Sequence, residues 1–172
     1  DLCTMTVREI SDKIEGFIKS SMLNAGYSRK MLGHFNFHRQ YTQASVALQV
    51  GKRKNPAESI HHFNSIALPY ILEQATRKLP AYMICHEKLL SLKYKDEAGQ
   101  SHLYDTLRCF LEHNQNIAHT ANALFIHRTT LLYRLDKIRA FLDSDLTDRD
   151  EILYLLLSFH LMDMESENQA EK

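Results

Sequence analysis

Between Asn116 and Leu142 the sequence leaves room for a short helix, a three-residue connection and a longer helix, and for little else. Asn116 is the kind of residue that caps a helix start, and Ile117 to Leu124 suits the short helix that follows. Phe125-Ile126-His127 makes the connection. From about Arg128 the residues Leu131, Leu135, Ile138 and Leu142 recur at helical spacing and place one apolar face on a second helix. So short a connection makes the two helices cross around a shared small core. Ala121, in the middle of the first, lets the second approach closely. Leu124, Ile126, Leu131 and Leu135 would fix the angle between them.

With those side chains inward, the helical wheel leaves Thr129, Leu132, Tyr133, Asp136 and Lys137 outward, flanked by Arg128, Thr130 and Arg134. This is the pattern of a helix-turn-helix, whose second helix enters the major groove while the first braces it across the phosphates. His127, Arg128 and Thr129 stand at the end of the helix where base edges are usually reached. Arg128 can contact guanine bidentately, worth roughly 1 to 3 kcal/mol of discrimination, and Leu132 can meet a thymine methyl. Lys137 and Arg139 suit phosphates, which position without reading sequence. The amides at Ile117 and Ala118, at the capped end next to Asn116, could hold another phosphate. Two helices and a turn are also ordinary parts of a bundle. Tyr133 fits packing as well as a groove, and Arg134 could instead bridge to acidic residues of the last helix.

The rest of the chain is also mostly helical. Thr6-Val7-Arg8-Glu9 has capping-box spacing, and Val7, Ile10, Ile14, Phe17 and Ile18 follow as one stripe. Phe37, Tyr41, Ala44, Ala47 and Leu48 predict a second helix ending near Gly51 to Pro56. Ala25 to Met31 and Ser59 to Phe63 read as short strands. Pro69 is expected in the first turn of the next helix, and Pro80 at the start of one carrying Met83, Ile84 and Leu89 to Leu92. The polar run Lys93 to Gln100 reads as a linker. Ser101 then caps Leu103 to His113, which Asn114-Gln115-Asn116 breaks. The last helix, Asp150 to Met164, is apolar on nearly every side and needs cover on both, from its own domain or from a second subunit. The expected fold is mainly α: a C-terminal helical bundle containing the helix-turn-helix, preceded by a partial α+β segment. Residues 1–78 form that segment, 79–164 the helix-turn-helix domain, and 165–172 an acidic disordered tail.

Charge sharpens the functional reading. The chain carries 21 Lys+Arg and 21 Asp+Glu, yet residues 116–142 hold four basic residues against Asp136 alone, and residues 143–172 hold nine acidic against two basic. A neutral total thus conceals a basic segment beside an acidic end. No run approaches the roughly 18 to 20 apolar residues of a membrane span, and no signal peptide is visible. Cys3, Cys85 and Cys109 are odd in number and widely spaced, which disfavours a disulfide scaffold and points to a reducing, cytoplasmic compartment. Beginning at Asp1, the chain reads as a piece of a longer protein.

The residues also carry a resemblance. The stretch from Asn116-Ile117-Ala118 through Thr120-Ala121, Leu124, His127-Arg128, Thr130-Leu131 and Tyr133-Arg134-Leu135, with Leu107 and Phe110-Leu111-Glu112 before it, resembles the C-terminal helix-turn-helix of PucR/CdaR-type bacterial regulators of purine-catabolism and sugar-diacid genes. It is similar as well to the factor-for-inversion type of DNA-binding end. Phe125 stands where that second group has glycine, which implies a different backbone conformation at the turn, and His127 replaces its asparagine. Upstream, Ala25-Gly26-Tyr27-Ser28-Arg29 and Tyr41-Thr42-Gln43-Ala44 with Ala47-Leu48 and Gly51 resemble the tail of a degenerate GGDEF-like domain. That implies the last helices and last two strands of such a domain in residues 1–78, completed by another subunit or left as a helical remnant. No Gly-Gly-Asp/Glu-Glu-Phe run is present, so nucleotide cyclisation has no candidate residues.

The resemblance implies a transcriptional regulator acting on double-stranded DNA as a homodimer. It also implies a small-molecule effector bound by a part of the protein absent here. The residues assigned to DNA are Asn116, Ile117, His127, Arg128, Thr129, Thr130, Leu132, Tyr133, Arg134 and Lys137. No catalytic residue, cofactor or metal is assigned. His34 and His38 share one helix face, but no Glu completes an H-E-x-x-H pattern, and His61 and His62 point to opposite faces of a strand. Cys85-His86 reads as a buried cysteine beside a histidine. Two other classes stay open: an interaction module whose basic helix is screened by the acidic end, and an enzyme using the histidines with a bound metal.

Overall fold

A computed structural model describes residues 5–30, 36–99 and 101–170. In chain order the elements are α1 (Val7–Ser20), β1 (Ala25–Tyr27), α2 (Phe37–Lys54), β2 (Ile60–His62), α3 (Phe63–Ala75), α4 (Ala81–Ile84), α5 (Glu87–Gly99), α6 (Leu103–Glu112), α7 (Ile117–Ala123), α8 (Arg128–Leu142) and α9 (Arg149–Ala170). The fold is mainly α, as expected. The described residues fall into two compact units, divided between Gln74 and Ala75. Cys3, Met31, His34, Gln100 and the final two residues lie outside the described residues.

In the first unit β1 and β2 run parallel, pairing Ala25 with Ile60, Gly26 with His61 and Tyr27 with His62. Parallel neighbours need a crossover, and α2 is that crossover. It lies so close to the strands that a Cβ on Gly26 would sit 2.0 Å from the Ala44 carbonyl oxygen, and one on Gly51 would sit 2.4 Å from the His61 ring. Small residues at both points are therefore obligatory. Ala47, Val50 and Ile66 make the core, with Val46, Phe63 and Tyr70 against it. The capping box of α1 is present: Glu9 N–H donates to Thr6 Oγ1 at 3.3 Å and Thr6 N–H donates to Glu9 Oε2 at 2.7 Å. The Thr6 N–H, joined by the Thr6 hydroxyl donating to the same Oε2 at 2.9 Å, holds the Glu9 carboxyl below its usual pKa. Pro69 corrects an expectation, because it lies inside α3 rather than in its first turn. It removes the N–H that would reach Ser65, which is exposed, so solvent can take the lost bond.

The second unit is built on buried Leu89, Leu92, Leu107, Phe110, Leu131, Leu135, Ile138, Leu142, Leu155 and Phe159. Truncating a leucine in such a core costs about 2–5 kcal/mol. Four expectations are corrected here. The helix predicted to open at Pro80 and run through Leu92 is broken at Cys85, whose backbone is extended (φ −70°, ψ 156°). The break is held by α9: His86 N–H donates to Ser158 Oγ at 2.9 Å, and Tyr154 Oη donates to the Ile84 carbonyl at 2.8 Å. The polar run from Lys93 is no linker, because α5 continues to Gly99. Ser101 does not cap α6. That start falls at His102 in a left-handed conformation, and the Asp96 carboxylate, reaching from α5, accepts from Tyr104 N–H at 2.7 Å. Finally, the expected acidic disordered tail is helical as far as Ala170.

The last helix is tied down by its charges as well as its apolar side. Arg108 on α6 donates to Asp163 from both terminal nitrogens, at 2.8 and 2.6 Å, and its Nε to Glu112 at 2.9 Å. Both carboxylates push its pKa further up. Leu153 and Tyr154 stay exposed on α9, while Leu155, Phe159, Leu161, Met162 and Met164 are buried.

Candidate nucleic-acid interface

Asn116 caps α7 as its residue type demands, its side chain accepting from His119 N–H at 3.0 Å. Thr120 and Ala121 are buried, the Thr120 hydroxyl donating to the Asn116 carbonyl at 2.8 Å. The helix then closes on Leu124, and Ile126 N–H donates back to the Ala121 carbonyl at 3.0 Å. Between them Phe125 takes φ 52°, the left-handed conformation. This corrects the expectation that a residue other than glycine would force a different turn. Phe125 adopts the conformation that glycine tolerates best, and its ring is 96% exposed.

His127 is the cap of α8. Its Nδ1 lies 3.3 Å from Thr129 N and 2.8 Å from Thr129 Oγ1. Leu131, Leu135, Ile138 and Leu142 are all buried, and Leu124 and Ile126 half-buried, so the inward set is as the spacing predicts. The far end of α8 turns at Asp143 in a left-handed conformation, and Lys88 Nζ donates to the Leu142 carbonyl at 2.5 Å.

The structure brings most of the assigned residues onto one solvent-facing side. Arg128, Thr129, Thr130, Tyr133 and Lys137 are exposed, and Lys137 Nζ sits 4.4 Å from the Tyr133 ring centre. This cation–π pair, four residues apart on one face, steadies the ammonium without neutralising it. Asp136 is engaged sideways by Arg139 at 3.5 Å. Asn116 is exposed, Ile117 half-buried. Leu132 is half-buried. Arg134 is half-buried, its Nη1 donating to the buried Thr106 hydroxyl on α6 at 3.1 Å, and it pairs with no acid of α9 among the described residues. Sequence reasoning missed His127 as a cap, because histidine is not a common capping residue, and missed the Tyr133–Lys137 pair, whose i,i+4 spacing was visible.

The other clusters are quiet. Among the described residues no three His, Cys, Asp or Glu side chains converge as a metal site would need. His61 is buried against Gly51, and exposed His62 packs on the Tyr27 ring at 5.0 Å. Burial pushes the Cys85 thiol up to about 11, so it is no thiolate nucleophile. Tyr104 is pushed up to about 12 by burial against Phe159. No described helix is long and apolar enough to cross a membrane.

Comparison with known proteins agrees with this geometry. Residues 103–161 match the family described as the PucR C-terminal helix-turn-helix domain. The chain is 32% identical over 123 residues to the carbohydrate diacid regulator of Escherichia coli K12, spanning 72% of this chain and 31% of that protein. It is 32% identical over 124 residues to the purine catabolism regulatory protein of Bacillus subtilis 168, spanning 70% and 22%. With the proline-responsive transcriptional activator PutR of the same bacterium it shares 27% over 168 residues, 84% and 41%. These alignments are longer than the matched domain, so the similarity extends well upstream of Leu103. No solved structure gives a significant match. The family and these relatives are regulators rather than enzymes. Residues 103–161 are thus a PucR-type C-terminal helix-turn-helix domain, carried by a chain that is similar over about 70% of its length to PucR/CdaR-type regulators.

Proposed function

We propose that this chain reads duplex DNA through α8, laid in the major groove with its N-terminal end against base edges, and that it does so as a homodimer in the cytoplasm. The observation that carries the reading is the exposed side of α8. Arg128, Thr129, Thr130, Tyr133 and Lys137 face solvent over a fully buried row of Leu131, Leu135, Ile138 and Leu142. Arg128 has no ion-pair partner among the described residues. Dimerisation follows from interface size, since a single recognition helix covers little DNA and paired half-sites about one turn apart are the usual remedy. Arg134 is better cast as a brace between α8 and α6 than as a base contact. The rival reading, in which acidic residues screen the basic helix, is less well supported: Asp163 pairs with Arg108 and Asp143 lies 3.9 Å from Lys88. The chain spans 22 to 41% of the relatives named above, and any effector site belongs to the wider regulator.

The first unit supports a second, coarser reading, as part of a GGDEF-like domain. The two strands among its described residues are too few for a stable sheet alone. Tyr27 Oη and His61 Nε2, both on the strands, are buried without a hydrogen-bond partner among the described residues. On α1, Val7, Ile14 and Phe17 remain exposed along the apolar stripe.

Selection of bound duplexes from a random pool tests the DNA reading. Arg128→Ala is expected to relax one base position at a cost of roughly 1 to 3 kcal/mol. Lys137→Ala is expected to weaken all sequences alike and reduce the salt slope by about one. Failure of the chain to retain any duplex, at low salt, would sink the proposal.

A further inference from the structure

We infer that His127 and Thr129 form one hydrogen-bonding unit of fixed polarity at the tip of α8, in which His127 offers an Nε2–H donor to a purine acceptor and Thr129 offers only lone pairs to an exocyclic amine of adenine or cytosine. This rests on the DNA-binding reading above and adds to it the sense of each contact.

The polarity follows from proton accounting. Thr129 N–H can only donate, and it points at His127 Nδ1 from 3.3 Å. Nδ1 is therefore the acceptor, since a proton there would set N–H against N–H. The positive end of the α8 dipole favours a lone pair at the same place. A neutral imidazole carries one donor and one acceptor nitrogen, so the proton resides on Nε2. Nε2 lies on the far edge of the ring, on an exposed residue, and has no partner among the described residues. Thr129 is constrained in the same way. Its Oγ1 is 2.8 Å from Nδ1, and with Nδ1 accepting, the hydroxyl hydrogen is committed there. Only the oxygen lone pairs remain for a ligand.

The major groove distinguishes these two offers. Guanine presents N7 and O6 as acceptors and adenine presents N7, whereas adenine N6 and cytosine N4 are donors. A donor from His127 selects a purine, and a lone-pair acceptor from Thr129 selects an exposed amine at a neighbouring pair. A free side chain could rotate to serve either role, but the internal bond removes that freedom before DNA arrives.

Two measurements on the 172-residue chain test the assignment. Long-range nitrogen–proton NMR of the free protein near neutral pH is expected to show His127 protonated at Nε2; protonation at Nδ1 overturns the inference. In random-pool selection, His127→Ser keeps an oxygen able to cap α8 but removes the donor, and should lower the purine preference at one pair by roughly three- to tenfold. Thr129→Val should remove the amine preference at a neighbouring pair. An unchanged preference in both variants overturns the inference while leaving DNA binding intact. Equal weakening of every duplex by His127→Ser also overturns it, since that is the mark of a phosphate contact. If the wild type itself selects no duplex, the DNA-binding reading fails and takes this one with it.

Discussion

At Phe125 the backbone adopts a conformation that a side chain with a Cβ disfavours by about 1–2 kcal/mol, while the side chain itself is almost wholly exposed. The cost is met because the turn is over-determined from both sides: Ile126 N–H is held by Ala121 and the next residue is already the cap of α8. Phe125→Gly is therefore expected to stabilise the protein by about 0.5–1 kcal/mol, the relief of strain outweighing glycine's extra freedom when unfolded. An unchanged or lowered denaturant midpoint would show that the exposed ring has an attachment of its own. The resemblance to a glycine-bearing turn pointed at this position, yet residue type alone suggested a different backbone. Type reports the cost of a conformation, and the neighbours decide whether the cost is accepted.

Among elements, the junction of α4, α5 and α9 shows how a tertiary hydrogen bond overrides helical spacing. Nothing in Ala81 to Leu92 announces a break at Cys85, because the group that makes it, Ser158, is distant in sequence. His86 sits in that junction beside the Tyr154 ring at 5.4 Å, with its Nδ1 buried and without a hydrogen-bond partner among the described residues. Burial lowers its pKa below the ordinary 6.5, the nearby Lys88 adding to the effect and Glu151 opposing it. The unfolded chain therefore binds the proton more readily than the folded one. The contribution of His86 is complete above pH 6.5 and is lost as pH falls below it toward the folded value. Denaturant midpoints measured at about pH 7.5 and about pH 5.5 should draw apart less in His86→Gln than in the wild type. A difference that His86→Gln leaves untouched would assign the pH dependence elsewhere. The bidentate Arg108–Asp163 pair fastens α9 to α6, but it is partly exposed. Asp163→Asn is expected to cost no more than about 1 kcal/mol in the same measurement.

For the whole molecule, the separation into two units divides the chemistry. Every exposed residue assigned to DNA lies in residues 75–172, which have their own core of leucine and phenylalanine. A piece limited to residues 75–172 is expected to retain the base preferences of the whole chain in random-pool selection. A changed preference would implicate residues 1–74 in recognition.

Much of the site was legible in the sequence. Asn116, the three-residue connection and the buried row from Leu131 to Leu142 are local features, set by a helical period of 3.6 residues and by capping chemistry that needs no distant partner. The exposed sides of α8 follow from the same periodicity. Only the tertiary structure decided that Arg134 serves the buried Thr106 hydroxyl, that Asp96 starts α6 in place of Ser101, and that the polar run from Lys93 is helical. It also decided that His127 faces Thr129 with a lone pair. Each of these turns on which hydrogen-bond donor meets which acceptor across a fold or a turn, and a linear pattern of polar and apolar residues does not contain that information.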